Sequence, residues 1–407
     1  MENQTERPSS KHFIWVEGHE ELEMTDTKGW INVAWLVMPG WKVLDKSRFK
    51  LKNISGLGGS RTYLIDSNPK SSDTAPAHSR IVLRARQKTQ DDDPYQEIRM
   101  ETSQKVLYDH GLAIPRLFEG KTFNIEPCVD DARPKLGWFQ SLLLNVVCAP
   151  IEKGDFKKFA VLLAKIHQVP TDWFEPIREG LQKQYPLLQG AVPGSHVWIM
   201  TSRMEWWGKW RANMSNEVIQ FYLDATREPL SEAGRRVITS HGDYHEQNVI
   251  IEKSTGKYLA IDLEFTTVQY AAGGLAYIFG MSHFVSQYGC ATTAGKRSFV
   301  KNYLEASGLP ATPADVDLLI FDAECARTRH HWLGLLSTSM WQNLKWIDWD
   351  FKCYKEAAVF EDQCRSDLAL QNKVVETGFY ELFMSDPKRN AMVMEFLKNA
   401  DENVKGD

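Results

Sequence analysis

The segment from Val237 to Phe265 constrains the chain more than any other part of the sequence. It reads VITSHGDYHEQNVIIEKSTGKYLAIDLEF, and two short apolar runs, Val249 to Glu252 and Tyr258 to Ile261, flank a polar turn over Lys253 to Lys257. Short apolar runs on either side of a glycine-containing turn predict a β-hairpin. Because polar residues stand just outside both runs, the chemically reactive residue types are expected at the open end of this hairpin.

The open end of a hairpin brings two distant pieces of chain together. Asp243 and Asn248 precede the first strand and are five residues apart, while Asp262 and Glu264 follow Asn248 by 14 and 16 residues. These four residues and His241 are expected to lie close together at the open end of the hairpin. Three carboxylates and a carboxamide suit a hard divalent cation with oxygen ligands, and Mg²⁺ typically adds substrate phosphates to such a set.

That donor set indicates phosphoryl-transfer chemistry. The spacing H-x-D-x-x-x-x-N, followed by an Asp after a strand, matches the catalytic loop and metal-binding Asp of protein kinases. On that template Asp243 is the catalytic base, Asn248 and Asp262 are metal ligands, and Glu264 is an additional ligand. Any one of these residue types is common in solvated turns, so the prediction depends on the whole set. His241 also suits a buried packing and hydrogen-bonding role.

A second glycine-rich turn lies in the N-terminal part. The runs Phe49 to Ile54 and Thr62 to Ile65 predict another hairpin. Its tip carries Gly58, Gly59 and Ser60. Backbone N–H groups at such a tip can approach phosphate oxygens because glycine has no side chain, although this signal is weak by itself.

Two charged residues follow that hairpin. Arg84 ends the strand predicted from Arg80 to Arg84, and Glu101 lies on the helix predicted from Tyr95 to His110. Arg84 is a candidate phosphate contact and Glu101 its ion-pair partner, by analogy with the Lys–Glu pair of kinases. Glu97 is the competing partner, and an ordinary surface ion pair is the plain alternative.

The chain of 407 residues predicts two domains or large lobes. An apolar run from Trp138 to Val147 indicates a buried strand leading out of the first lobe, so the boundary is placed near Asn145. Residues 1–145 are then a nucleotide-binding lobe and residues 146–407 a catalytic and acceptor-binding lobe. Helical spacing of apolar residues makes the second lobe largely helical. The predicted helical stretches are Phe156 to His167, Asp315 to Leu344 and Phe351 to Cys364.

Charge and cysteine content exclude several classes of protein. With 48 Lys and Arg against 53 Asp and Glu, the net charge of −5 argues against nucleic acid as a partner. The 6 cysteines form no C-x-x-C pair, which favours reduced thiols in a cytoplasmic protein over a zinc site or a disulfide framework. The sequence shows neither a signal peptide nor an apolar stretch of roughly 18 residues, so no membrane anchor is expected.

Taken together, these motifs resemble the choline/ethanolamine kinases, within the aminoglycoside-phosphotransferase-like kinases. ISGLGGSRTYL is similar to their phosphate loop, IVLRAR to a strand that ends in an ATP-binding Arg, HGDYHEQN to the catalytic loop and IDLEF to the metal strand. The resemblance implies an α+β, bilobal, protein-kinase-like fold with a small β-rich N-lobe and a larger, mostly helical C-lobe. It also implies ATP, Mg²⁺ and a small alcohol acceptor.

The resemblance weakens where the family binds choline. Two expected acids and two expected tryptophans are replaced at four positions: Gly274, Met281, Leu333 and Leu336. The family's cage Tyr corresponds to Tyr354, and Trp341 is a candidate replacement for the lost aromatic faces. His245, where choline kinases usually have Gln, is a further candidate substrate contact. Ordinary core packing is the alternative for each Trp.

The leading hypothesis is an ATP-dependent phosphotransferase that acts on choline, ethanolamine or a related small amino alcohol. The first alternative is a kinase of another small metabolite or antibiotic hydroxyl, and the second is a nucleotide-binding pseudokinase. Protein-kinase activity is not expected, because the sequence has neither a D-F-G nor an A-P-E segment. A homodimer is left open.

Overall fold

The computed structural model describes residues 27–54, 61–68, 76–85, 94–119, 123–132, 156–184, 227–280, 292–327 and 346–404. The chain divides into two units: one of residues 1–92, 113–130 and 252–254, and a larger one of residues 93–112, 131–251 and 255–407. The smaller unit contains an antiparallel sheet and the larger is mostly helical, which confirms the α+β class predicted from sequence. The expected lobe boundary near Asn145 falls outside the described residues and stays a prediction.

The smaller unit is built on a five-stranded antiparallel sheet. It begins with helix α1 (Thr27–Val37), and the sheet order is β1-β2-β3-β5-β4. The strands are β1 (Lys50–Asn53), β2 (Arg61–Asp66), β3 (Arg80–Ala85), β4 (Phe118–Glu119) and β5 (Phe123–Pro127). The antiparallel pairing of β1 with β2 confirms the first predicted hairpin.

Alternation of side chains explains how this sheet forms its core. Ile81, Leu83 and Ala85 of β3 are fully buried, while the residues between them are only partly buried, as the two-residue period of a strand requires. Trp30 of α1 covers this face and packs edge-on against Phe123, with ring centroids 5.7 Å apart.

The larger unit contains the predicted catalytic segment. Its helices are α2 (Pro94–Asp109), α3 (Phe156–His167), α4 (Glu175–Gln184), α5 (Glu232–Arg235), α6 (Ala271–Gly280), α7 (Thr293–Ala306), α8 (Pro313–Ala326), α9 (Trp346–Ser366), α10 (Leu368–Thr377), α11 (Phe379–Met384) and α12 (Pro387–Val404). Its strands form two antiparallel pairs: β6 (Val237–Ser240) with β9 (Thr267–Tyr270), and β7 (Val249–Ile251) with β8 (Tyr258–Ala260).

The helices that the sequence predicted lie close to their predicted positions. Helix α3 has the predicted bounds, α2 is displaced by one residue, and α9 begins five residues before the predicted start. Helix α8 opens with a capping box between Thr312 and Asp315 and has Pro313 in its first turn. The rest of the predicted stretch to Leu344 lies outside the described residues. Within the described ranges, no helix is long and apolar enough to cross a membrane.

A buried ion network ties together four of these helices. Glu324 of α8 is fully buried and accepts from both Lys296 of α7 and Arg327. Arg327 also donates to the carbonyl oxygen of Phe279 at the end of α6, at 3.2 Å, and to Glu381 of α11, at 2.9 Å. Lys296, Arg327 and Glu324 therefore compensate each other where water has been removed, and the half-exposed Glu381 adds a second carboxylate to Arg327.

Removing the central carboxylate should destabilise the larger unit. Glu324→Gln keeps the shape but removes the negative charge that both cations face, so the free energy of unfolding should fall by about 3 to 5 kcal/mol. Urea unfolding followed by circular dichroism measures this. Lys301→Met, which removes an exposed i,i+4 pair with Glu305, is the control and should change the free energy of unfolding by less than about 1 kcal/mol. Equal effects of the two variants would contradict this account of the network.

Candidate active site

The second predicted hairpin is present, and the backbone of one residue, Ile261, closes its open end. The N–H of Ile261 donates to the backbone carbonyl of Asn248 at 2.9 Å, and the carbonyl of Ile261 accepts from His241 Nε2 at 2.9 Å. Ile261, which directly precedes Asp262, is therefore hydrogen-bonded both to Asn248, just before β7, and to His241 in the loop that leads to Asn248. This brings the two halves of the predicted site together, as the hairpin argument required.

His241 is a structural part of this closure. Because the Ile261 carbonyl can only accept, Nε2 must carry the proton, and Nδ1 is then free to accept the N–H of Asp243 at 3.3 Å. Both bonds are made by the neutral ring. Complete burial lowers the pKa of His241, which keeps the ring neutral at physiological pH. His241 thus has the packing and hydrogen-bonding role that the sequence left open.

Asp243 is held from one side by Asn248. The Asn248 side-chain Nδ2 donates to the backbone carbonyl of Asp243 at 2.9 Å and to its carboxylate at 3.0 Å. Asn248 is only 6% exposed, whereas the side chain of Asp243 is 23% exposed. The carboxylate is therefore held by Asn248 and still partly exposed, as an acceptor of a proton from a bound molecule should be.

His245 lies against the same carboxylate. Its Nδ1 accepts the N–H of Gln247 at 3.2 Å, which leaves Nε2 as the protonated nitrogen of the neutral ring. Nε2 lies 3.5 Å from Asp243 Oδ2. The ring is thus oriented by its own loop toward Asp243. Its contact with a substrate stays a prediction.

Asp262 adopts an unusual backbone conformation. Its φ of 62° and ψ of 56° place a residue other than glycine in the left-handed region, immediately before a 3-10 turn over Leu263–Phe265. Such a conformation is unfavourable for an L-residue and is concentrated at functional sites. The Asp262 side chain is exposed. Glu264 belongs to the turn, but its side chain lies outside the described residues.

Gly242 is a site residue that the sequence reasoning missed. Its φ is +77°, and a Cβ at this position would lie 1.9 Å from the carbonyl oxygen of Phe265. The loop predicted to be catalytic therefore packs with its bare backbone against the turn that follows Asp262. The glycine in HGD was the available signal, because glycine between two polar site residues often marks a close backbone approach.

The space behind the loop is filled by aromatic and polar side chains. Tyr244 stacks on Phe159 of α3 at 4.5 Å, and its hydroxyl donates to the Phe159 carbonyl at 2.8 Å. Gly274, which corresponds to a family acid, would place a Cβ 2.7 Å from the ring of His167. His167 is fully buried, and this burial lowers its pKa to about 3. A neutral imidazole thus fills the space beside Gly274.

The structure gives Arg84 a partner that the sequence did not reveal. Arg84 Nε donates to Glu126 Oε2 of the neighbouring strand β5 at 3.3 Å. The two residues are 42 positions apart, and only the antiparallel register of β3 with β5 brings them together. Glu101 lies on α2 in the other unit, so its pairing with Arg84 stays a prediction.

Several predicted residues lie outside the described ones. These are Gly58, Gly59, Ser60, Trp341, Met281, Leu333 and Leu336, together with the side chains of Glu97 and Tyr354. Their proposed roles in phosphate or acceptor binding stay predictions.

The donors near Asp243 suit a hard cation. Within the described ranges no three His, Cys, Asp or Glu side chains are grouped to hold a metal ion. However, the Asn248 amide directs its N–H groups to Asp243, which leaves its carbonyl oxygen as the ligand atom beside the hairpin end that carries Asp262. Amide and carboxylate oxygens with few protein ligands are the set that Mg²⁺ uses when phosphates complete its coordination.

Comparison with known proteins identifies the fold. No family model and no curated protein matches the sequence. Among solved structures, a choline kinase from Cryptosporidium parvum is similar at 14% identity and a TM-score of 0.50, over 93% of this chain and 97% of that one. An ethanolamine kinase from Plasmodium vivax is similar at 12% identity and a TM-score of 0.50, over 84% and 86%. The chain therefore has the kinase-like fold of these proteins, as its motifs implied.

The close approach at Gly242 can be tested by adding one methyl group. Gly242→Ala must both strain a positive φ and displace the Phe265 carbonyl. Gly256→Ala is the matched control, since it has a φ of +69° with nothing within 4 Å of the added Cβ. The control should cost about 1 to 2 kcal/mol of unfolding free energy, and Gly242→Ala should cost about 2 kcal/mol more. Equal losses in urea titrations would show that the approach to Phe265 is unimportant.

Proposed function

We propose that the protein is an ATP-dependent phosphotransferase that moves the γ-phosphate of ATP to the hydroxyl of a small amino alcohol of the choline/ethanolamine class. The observation that carries the proposal is the pairing of Asp243 with Asn248 in a loop that the backbone of Ile261 joins to Asp262. In a kinase-like fold, a carboxylate, an amide and a second carboxylate in this order suit a base and two metal ligands.

Asp243 acts on the acceptor. Its side chain is 23% exposed, Asn248 donates to its carboxylate, and His245 lies beside it. The carboxylate orients the hydroxyl toward the γ-phosphate and accepts its proton as the new P–O bond forms and the bond between the γ-phosphate and ADP breaks, so that ADP leaves. The hydrogen bond from Asn248 keeps the carboxylate in place, so the proton acceptor need not reorganise during transfer.

Asn248 and Asp262 are the proposed metal ligands, with Glu264 as an additional ligand. Mg²⁺ held there would supply positive charge that neutralises the negative charge of the phosphates. The left-handed backbone of Asp262 turns the chain sharply between β8 and the 3-10 turn, which presents the carboxylate at the surface of the hairpin end.

Arg84 is the proposed phosphate anchor in the smaller unit, with Gly58, Gly59 and Ser60 as further ATP contacts. Glu126 contacts the Nε edge of Arg84, which orients the planar guanidinium. Glu101 is proposed as a second partner of Arg84 in the active arrangement.

We expect the acceptor to be a small hydroxylated amine and choline to bind weakly. At Gly274 there is no carboxylate, and the neutral ring of His167 fills the adjoining space. Tyr354, Trp341 and His245 are then the proposed substrate contacts. A permanent cation would lose part of the compensation that aromatic faces and acids provide. This same observation supports the alternative, a kinase that acts on another small hydroxylated metabolite or antibiotic.

Removal of the proposed base should slow phosphoryl transfer without weakening the binding of ATP. Asp243→Asn keeps the size of the side chain but cannot accept a proton, so kcat should fall by about 10²- to 10⁴-fold while the KM for ATP changes little. Steady-state assays of ADP release measure both constants. Asp172→Asn, at an exposed position, is the control and should leave both unchanged. A near-native kcat in Asp243→Asn would refute the assignment of the base.

Substrate preference follows from the weakened cation site. Across choline, ethanolamine and their N-methylated intermediates, we expect turnover of a hydroxylated amine, with choline bound more than roughly tenfold more weakly than the preferred amine. The comparison requires only kcat/KM for each alcohol under the same conditions. A choline KM in the low micromolar range would contradict this reading of the pocket. Absence of turnover with every member of the series would favour the alternative acceptor class.

A further inference from the structure

Helix α2 buries polar side chains on the face that usually carries apolar ones. Arg99 is 3% exposed, and Ser103, one turn later, is also buried, whereas the adjacent Ile98 is 45% exposed. Arg99, Ser103 and the buried Leu107 are spaced by four residues and share one face of the helix. An arginine inside and an isoleucine outside reverse the amphipathic pattern, and such reversals are concentrated at functional or strained sites.

The buried guanidinium contacts the turn that follows Asp262. Arg99 Nη1 donates to the backbone carbonyl of Thr266, with 3.4 Å between nitrogen and oxygen. Thr266 is fully buried, and its N–H donates to the Leu263 carbonyl at 3.1 Å, so it closes the 3-10 turn. Arg99 therefore lies at the carboxyl end of this turn, where a positive charge interacts favourably with the backbone carbonyls.

The turn is thus fixed from two directions. On one side the Phe265 carbonyl lies against the bare backbone of Gly242, and on the other the Thr266 carbonyl accepts from Arg99. Asp262, at the start of the turn, keeps a left-handed backbone that persists only when its surroundings hold it. Burial of a guanidinium is unfavourable unless it makes a specific contact, and the contact here is with the chain around the proposed metal ligand.

We propose that Arg99 is a positioning residue that holds the turn after Asp262 and so keeps the Asp262 carboxylate in the orientation that binds metal. Because Arg99 and Glu101 lie on the same rigid helix, this contact also makes the position of α2 depend on the metal turn. The metal part of the inference rests on the proposed function. The restraint of the turn is independent of the proposed function, since it follows from the contacts of Arg99, Thr266 and Gly242.

The test compares Arg99→Met, which keeps an unbranched apolar side chain but removes the guanidinium donors, with Arg99→Lys, which keeps the charge. The control is Lys105→Met on the same helix, at an exposed position that pairs with Asp109. Isothermal titration with Mn²⁺ in the presence of a non-hydrolysable ATP analogue measures metal affinity. Hydrogen exchange measures how firmly residues 263–267 are held.

For Arg99→Met we expect a roughly tenfold or larger rise in the Mn²⁺ dissociation constant and faster exchange of the turn amides. Arg99→Lys should retain part of the Mn²⁺ affinity and part of the protection of the turn amides. Lys105→Met should match the wild type in both measurements. Wild-type Mn²⁺ affinity in folded Arg99→Met would overturn the proposal, even if its melting temperature fell, because that result describes a purely structural residue. If Arg99→Met does not fold, the same comparison is made between Arg99→Lys and the wild type.

These readouts also separate this inference from the proposed function. If the wild type binds neither Mn²⁺ nor nucleotide, the proposed function fails and with it the metal role. Hydrogen exchange then still decides whether Arg99 restrains the turn: unchanged exchange in Arg99→Met would overturn that part as well.

Discussion

The backbone of Ile261 is the constraint on which the arrangement of the site depends. Its N–H and its carbonyl are each bonded at 2.9 Å, one to the backbone of Asn248 and the other to the ring of His241. Because His241 also accepts the N–H of Asp243, the backbone of this one residue, which precedes Asp262, is connected to both ends of the loop that carries Asp243. Only a neutral His241 can make both bonds, and its burial keeps it neutral. The relative placement of the reactive side chains is therefore determined by backbone geometry.

The loop is also held by its packing. Tyr244 stacks on α3, and Gly242 lies against the turn of Phe265. Between these contacts the Asp243 side chain is 23% exposed. For the proposed role of Asp243 as proton acceptor, such a rigid frame supplies the preorganisation that positioning catalysis requires.

Local patterns predicted the fold class, the hairpin over residues 249–260 and the convergence of Asp243, Asn248 and Asp262. They worked because alternation, turn composition and spacing are properties of adjacent residues. Glu126 was missed because its contact with Arg84 depends on strand register across 42 positions. The inward direction of Arg99 contradicts the amphipathic rule by which helix faces are assigned, so no local pattern could have indicated it. The phosphate loop and the aromatic acceptor contacts remain predictions, because their residues lie outside the described ranges.

The central claim is that Asn248 and Asp262 bind a metal ion facing the Asp243 carboxylate. The most direct measurement is an anomalous-difference map from crystals grown with Mn²⁺ and a non-hydrolysable ATP analogue. The account predicts a manganese peak in contact with the Asn248 side-chain oxygen and the Asp262 carboxylate, with the terminal phosphate of the nucleotide directed toward Asp243. A nucleotide bound with its metal at other side chains, or with its terminal phosphate directed away from Asp243, would contradict it.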